Sequence, residues 1–148
     1  MIQPWENTRT RALLERLCSL ENESYLVGGA IRDALMGRPA RVELDVAVRG
    51  DGHDIARRVA DNADGGRFVG LDSERGTGRI VLVHENYASI DVSSFKGESI
   101  LEDLTLRDFT INALAVKLED LLRDGLRAII DPTRGIPEIG RASCRERV

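Results

Sequence analysis

The hydrophobic positions of this chain change between helical and strand spacing along its length. Apolar residues at 12, 13, 17 and 20 share one face of a predicted helix over 7–20, with Asn7 or Thr8 as its cap. Residues 53–62 repeat this helical spacing, whereas 25–27, 43–48, 67–71, 79–84 and 88–93 are short strand-like runs. Because strands and helices do not simply alternate, the pattern predicts an α/β (α+β) domain with a mixed β-sheet flanked by helices.

The remaining segments are predicted in the same way. Residues 1–6 are expected to be a loose terminus, and 101–115 a mostly helical segment. The apolar runs 114–118 and 127–130 are expected to bracket an exposed turn. The chain thus divides into three units: an N-terminal helix and turn over 1–23, a main folded domain over 24–138, and a tail over 139–148.

Composition narrows the class of protein. With 148 residues, 42% hydrophobic and 31% charged, the chain can form one domain with one modest core. No apolar run is long enough to cross a membrane, the first residues lack signal-peptide order, and Cys18 and Cys144 form no metal motif. We therefore expect a reduced, cytoplasmic protein. The formal charge of −4 argues against a strongly basic nucleic-acid clamp but leaves a local nucleic-acid-binding patch open.

A glycine turn is the first candidate site. Gly28 and Gly29 follow a short strand and open a helix, and Arg32 and Asp33 come one turn later. Backbone N–H groups at a helix start can hold a phosphate, which Arg32 could also grip. A pair of glycines alone is more often an ordinary turn, and Arg32 alone an ordinary surface residue.

Three carboxylates form the second candidate site. Glu43 and Asp45 project from one face of a predicted strand, and Asp91 lies in a later one. Hard oxygen ligands on rigid elements suit Mg²⁺, and Asp91 could help to deprotonate an attacking hydroxyl. The alternatives are a solvated acidic face on an edge strand for the pair and an ordinary strand-end acid for Asp91.

The third candidate is a polar segment inside the predicted helix 101–115. Arg107 could contact a triphosphate and Asn112 a ribose or phosphates, with Asp108 between them. The alternative is that Asp108 only caps a helix. Spacing alone does not decide between these interpretations.

Four motifs together resemble a known family. LVGGAIRDALMGR, ELDVAV, LEDLTLRDFTINALAV and IIDPTRGIPE occur in the order found in class II tRNA nucleotidyltransferases and bacterial poly(A) polymerases, within the DNA polymerase beta nucleotidyltransferase superfamily. The resemblance covers residues 25–138. It implies attack of an RNA 3′-hydroxyl on the α-phosphate of CTP or ATP, with release of pyrophosphate and with Mg²⁺ as cofactor. The implied partners are ATP, CTP and a tRNA 3′ end, with no membrane.

The resemblance also implies roles for individual residues. Glu43, Asp45 and Asp91 match the catalytic, metal-binding carboxylates, and a nucleotide-binding set comprises Gly28, Gly29, Arg32, Asp33, Arg107, Asp108 and Asn112. Glu43 stands where the family has aspartate, the loop before it is one residue longer, and Leu106 replaces the first arginine of an RRD motif. A poly(A) polymerase head and a non-catalytic nucleotide-binding remnant are the alternatives. A head from an antibiotic- or protein-modifying nucleotidyltransferase fits the RDFTINA segment less well.

The tail lacks apolar periodicity. Residues 139–148, IGRASCRERV, resemble the translation of a sequencing-adapter oligonucleotide. We expect a non-native, poorly packed tail and a head domain truncated near Glu138, without the family's neck, body and tail domains.

Overall fold

The computed structural model describes residues 3–38, 43–61, 66–83, 88–106 and 113–132. The helices are α1 (Thr8–Leu20), α2 (Gly29–Leu35), α3 (Gly52–Asp61), α4 (Ile100–Thr105) and α5 (Leu118–Asp124). The strands are β1 (Ser24–Val27), β2 (Glu43–Val48), β3 (Gly66–Asp72), β4 (Thr77–Leu82), β5 (Ala88–Ser94) and β6 (Ala115–Lys117). Short 3-10 helices cover Pro4–Glu6 and Leu126–Ala128.

The strands form one mixed sheet. Across the described residues the strand order is β3–β4–β5–β2–β1–β6. β2 and β5 run parallel, whereas the other neighbouring pairs are antiparallel. The parallel pairing is possible because α3 and the β3–β4 hairpin lie between β2 and β5 in the chain and return it to the same end of the sheet. The predicted mixed sheet with flanking helices is confirmed.

The two faces of the sheet differ in chemistry because neighbouring residues of a strand point to opposite sides. In β2, Leu44 and Val46 are buried, whereas Glu43 and Asp45 are exposed. The buried side packs with α1 and α3 into the main core, which contains Leu13, Leu14, Leu17, Leu26, Ile55, Val59, Ile80, Ile90 and Val92. This core anchors the strands that carry the carboxylates.

The opposite side of the sheet is only partly covered. Its smaller apolar cluster contains Tyr25, Val27, Ala47, Ile100, Leu104, Ala113 and Ala115. α4 therefore packs over the β1–β6 side of this surface. We call the polar remainder, on β2, β5 and β4, the open face of the sheet.

Three local predictions were wrong. The N-terminus is not loose from residue 3 onward, because the 3-10 helix Pro4–Glu6 buries Trp5 in the main core. The segment 101–115, predicted to be mostly helical, is wrong at its end, because Ala115 begins β6, which pairs with β1. α4 covers its start as far as Thr105, and 107–112 lie outside the described residues. The residues between the runs 114–118 and 127–130 form α5 rather than an exposed turn, and Leu118 and Leu121 are buried.

The error at β6 comes from tertiary packing. Packing against β1 stabilises β6 as a strand although its three residues carry a weak sequence signal. The predicted helix 7–20, in contrast, forms as α1, with the Asn7 side chain accepting hydrogen bonds from the N–H groups of Arg9 and Thr10. The 139–148 tail lies outside the described residues.

Candidate active site

The glycine turn connects β1 to α2. Gly28 has φ 77° and ψ −133°, a backbone conformation that is available essentially only to glycine. Its N–H donates to the Leu114 carbonyl at 3.1 Å, and its carbonyl accepts from Arg32 N–H at 3.3 Å. α2 begins at Gly29, so the turn holds the start of the helix close to the chain entering β6.

Arg32 and Asp33 lie together on α2. The Asp33 carboxylate is nearly buried, with Arg32 Nε at 3.3 Å from its Oδ1 and Arg38 Nη1 at 4.0 Å from the same oxygen. The sequence placed Asp33 in the nucleotide-binding set. Its contacts suit it to orient the Arg32 guanidinium. A carboxylate would itself repel a phosphate, because both groups are negatively charged.

Glu43 and Asp45 occupy a central strand. β2 lies between β1 and β5, and both carboxylates are on the open face. The edge-strand interpretation of this pair is therefore wrong, because an edge strand would have only one neighbour. Exposed acids in the middle of a sheet have no obvious structural purpose, which favours a ligand-binding role.

Asp91 is directly beside Asp45. The two residues are Cα partners in the parallel β2–β5 pair, so their backbones are about 4.8 Å apart, the usual distance between strands. The same row across the sheet continues to Val27 on β1 and to Arg79 on β4. Like charges side by side destabilise a sheet. The arrangement thus joins two acids that are 46 residues apart in the sequence.

Arg79 was missed by the sequence reasoning. Its Nε lies 2.6 Å from Asp91 Oδ1 and its Nη2 lies 3.0 Å from Oδ2, a bidentate ion pair. The hydrogen bonds to Asp91 and its charge raise the pKa of the Arg79 guanidinium, and Glu43 and Asp45 add to the effect. The available signal was the alternation in β4, where Arg79 stands between buried Gly78 and Ile80 and therefore shares the face of the acids.

Among the described residues, no group of three His, Cys, Asp or Glu side chains is close enough to hold a metal ion. The three carboxylates are thus not gathered as an all-protein cage. Mg²⁺ commonly binds through one or two carboxylates together with substrate phosphates. The oxygen donors of Glu43 and Asp45 fit that mode, whereas both oxygens of Asp91 already accept hydrogen bonds from Arg79.

A cavity of about 240 Å³ opens beside Asp45, and its lining includes Ser93, Ser94, Lys96 and Asp103. The buried Asp103 carboxylate accepts a hydrogen bond from Lys96 N–H at 2.8 Å, which fixes the chain after β5. A larger pocket of about 710 Å³ shares Ser93, Ser94 and Lys96 and extends to the turn between β3 and β4. The open face therefore has room for a ligand next to its acids.

The predicted residues Arg107, Asp108 and Asn112 lie outside the described residues. The next two residues in the chain, Ala113 and Leu114, are described and buried, and the Leu114 carbonyl accepts the Gly28 N–H. Leu114, which follows the motif by two residues, is therefore joined to the glycine turn by this hydrogen bond.

Residues 24–145 match a protein-family model described as the poly(A) polymerase head domain. The chain belongs to this family. The resemblance found in the sequence motifs is confirmed, and the fold described above is that of a nucleotidyltransferase head.

Related sequences are nucleotidyltransferases that act on tRNA. The CC-adding tRNA nucleotidyltransferase of Geobacter sulfurreducens is 42% identical over 122 residues, covering 82% of this chain and 26% of that protein. The CCA-adding enzyme of Streptococcus pyogenes (strain MGAS10270) is 30% identical over 162 aligned positions, covering 98% of this chain and 38% of that protein. The chain thus spans well under half the length of these relatives.

Solved structures of a CCA-adding enzyme and of a tRNA nucleotidyltransferase superpose on this chain. The Bacillus stearothermophilus CCA-adding enzyme in complex with CTP superposes with a TM-score of 0.65 at 31% identity, over 95% of this chain and 33% of that one. A tRNA nucleotidyltransferase complexed with a primer tRNA and an incoming ATP analog gives a TM-score of 0.69 at 26% identity, over 86% of this chain and 36% of that one.

None of the helices in the described ranges is long and apolar enough to cross a membrane.

Proposed function

We propose that this chain is the catalytic head of an RNA nucleotidyltransferase that adds CMP or AMP, from CTP or ATP, to a tRNA 3′ end. The observation that carries the proposal is the Asp45–Asp91 pair on the open face of a sheet whose glycine turn lies one strand away from Asp45. Acids beside a phosphate-binding turn are the two parts that nucleotidyl transfer requires.

The reaction forms one P–O bond and breaks another. The primer 3′-oxygen attacks the α-phosphorus, the bond to the β-phosphate oxygen breaks, and pyrophosphate leaves with the electron pair. Asp91 is the group suited to receive the hydroxyl proton, because it lies beside Asp45 on the adjacent strand. The head's main contribution is to position the two reactants and stabilise the developing charge.

The nucleotide phosphates are assigned to the glycine turn. The backbone at Gly28 and Gly29 can approach a phosphate closely because neither residue carries a side chain. Arg32 is held by Asp33 at the same helix and adds a bidentate donor. Arg107, Asp108 and Asn112 stay a prediction for the other side of the nucleotide.

Mg²⁺ is the proposed cofactor, held by Glu43 and Asp45 together with the phosphates. When bound, it would neutralise phosphate charge and make the attacking hydroxyl more acidic. The support is the hard-oxygen donor set on a rigid central strand and the membership of a nucleotidyltransferase family. A cytoplasmic location is part of the same proposal.

Transfer to tRNA is favoured over polyadenylation. The relatives named above add CC or CCA to tRNA, and neither is a poly(A) polymerase. A head of this kind serves both reactions, so incorporation of labelled CMP and AMP must be compared on tRNA lacking CCA, on tRNA ending in CC and on unstructured RNA. AMP runs on unstructured RNA would favour the polymerase. Nucleotide binding without any incorporation would favour the non-catalytic remnant.

Calorimetric titration with CTP and ATP tests the site itself. We expect binding that requires Mg²⁺ and is lost in Asp45→Ala. Asp61→Ala removes the same charge at the exposed end of α3 and should leave binding unchanged. An Asp45→Ala variant with full affinity would show that the acids of β2 do not hold the nucleotide's metal.

A further inference from the structure

Arg79 occupies both oxygens of Asp91. The two hydrogen bonds, at 2.6 and 3.0 Å, form a fork in which one guanidinium meets one whole carboxylate. The Asp91 side chain is 22% exposed and the Arg79 side chain 40%, so the pair is accessible from the open face but partly shielded. A free carboxylate would offer these oxygens to a cation.

The position of Arg79 makes it more than a partner of one acid. Arg79, Asp91 and Asp45 are successive residues in one row across β4, β5 and β2. Glu43 and Asp45 also act electrostatically on the guanidinium. Arginine keeps its proton in proteins, so Arg79 is a permanent positive charge beside three acids.

We propose that Arg79 is a positioning residue that serves as a built-in counter-cation: it holds Asp91 toward β4 and weakens divalent-cation binding at Glu43 and Asp45 before the nucleotide arrives. Both oxygens of Asp91 then become available only when the Arg79 guanidinium leaves Asp91, or binds a second anion at the same time. A triphosphate is a suitable alternative partner, because guanidinium binds phosphate with the same fork geometry. The inference rests on the proposed metal site at Glu43 and Asp45.

Divalent affinity of the nucleotide-free chain tests this, with Mn²⁺ as the probe and calorimetry or electron paramagnetic resonance as the readout. Arg79→Gln should bind Mn²⁺ about three- to tenfold more tightly, the effect of removing a unit charge about 7 to 10 Å from a dication in a water-like dielectric. Arg57→Gln is the matched control, since Arg57 pairs with Asp54 on α3, behind the opposite face of the sheet. Its Mn²⁺ affinity should not change.

Two further variants separate a counter-charge from a merely structural contact. Arg79→Lys keeps the charge without the fork and should return the affinity toward that of the natural chain. In an Asp91→Asn background, Arg79→Gln should have a smaller effect, because part of the coupling passes through Asp91. If Arg79→Gln weakens Mn²⁺ binding or leaves it unchanged, Arg79 does not restrain the site and the inference is wrong.

Asp45→Ala distinguishes failure of this inference from failure of the proposed function. Loss of Mn²⁺ binding in Asp45→Ala, combined with no effect of Arg79→Gln, would overturn only the role of Arg79. Mn²⁺ binding that survives Asp45→Ala would overturn both.

Discussion

Asp45 and Asp91 lie side by side where the parallel strands β2 and β5 meet. Neither acid is near the other in sequence, and each has an apolar neighbour on either side that anchors it in the core below: Leu44 and Val46, and Ile90 and Val92. The rigid strands thus hold two like charges together, an arrangement that a sheet would not adopt for stability alone.

Gly28→Ala should lose nucleotide affinity in addition to stability. The Gly28 backbone, at φ 77° and ψ −133°, strains any residue with a Cβ by about 1–3 kcal/mol. Gly125 provides the matched control because its φ of 71° and ψ of −140° are nearly the same, at the end of α5. Gly125→Ala should have a similar melting-temperature loss with unchanged CTP binding. Equal effects of both variants on binding would mean that the Gly28 turn does not touch the nucleotide.

Glu43→Asp should raise any transfer activity. The longer side chain moves the carboxylate by about one bond length, and a misplacement of that size can lower a rate by up to roughly 100-fold. Rate measurements should therefore show a gain of about 10- to 100-fold, while Glu43→Gln, which keeps the length and removes the charge, should be inactive. A slower Glu43→Asp variant would indicate a site adapted to the longer acid.

Asp33→Asn should weaken nucleotide binding indirectly. The nearly buried Asp33 carboxylate holds the Arg32 guanidinium, with Nε of Arg32 3.3 Å from Oδ1 of Asp33. Loss of this negative charge should reduce CTP affinity about fivefold, the equivalent of roughly 1 kcal/mol. Asp54→Asn is the control, because it breaks the exposed Arg57–Asp54 pair at 2.7 Å on α3. Calorimetry on the two variants separates them; a CTP affinity of Asp33→Asn equal to that of the natural chain would contradict the positioning role.

Tyr25 should make stability fall at high pH. Burial, together with its hydrogen bond to Glu23 at 3.0 Å, raises the pKa of the Tyr25 phenol to about 12. Because the pKa of Tyr25 in the folded protein lies above the usual value of 10, Tyr25 contributes to the free energy of unfolding. That contribution is fully present below pH 10 and is lost as the pH rises through about 12.

The measurement is a tyrosinate absorbance titration in a Tyr87→Phe background, where Tyr25 is the remaining tyrosine. Tyr25→Phe should also reduce the fall in the free energy of unfolding over this pH range. A phenol that titrates near its ordinary pKa in the folded protein would contradict the assignment.

The sequence by itself determined the elements with strong local signals. The Asn7 cap and apolar spacing of α1, the glycine turn at Gly28, and the alternation of β2 all appear where the pattern places them. The motifs also identified the family, since their order is carried by residue types rather than by contacts.

Tertiary structure decided the pairings. Which strands are neighbours depends on burial of apolar surface between distant segments, so the central position of β2, the strand β6 and the partner of Asp91 could not be read from local spacing. Arg79 illustrates the point, because an arginine in a strand is ordinary until β4 is placed beside β5. Only that register turns it into the counter-charge of Asp91.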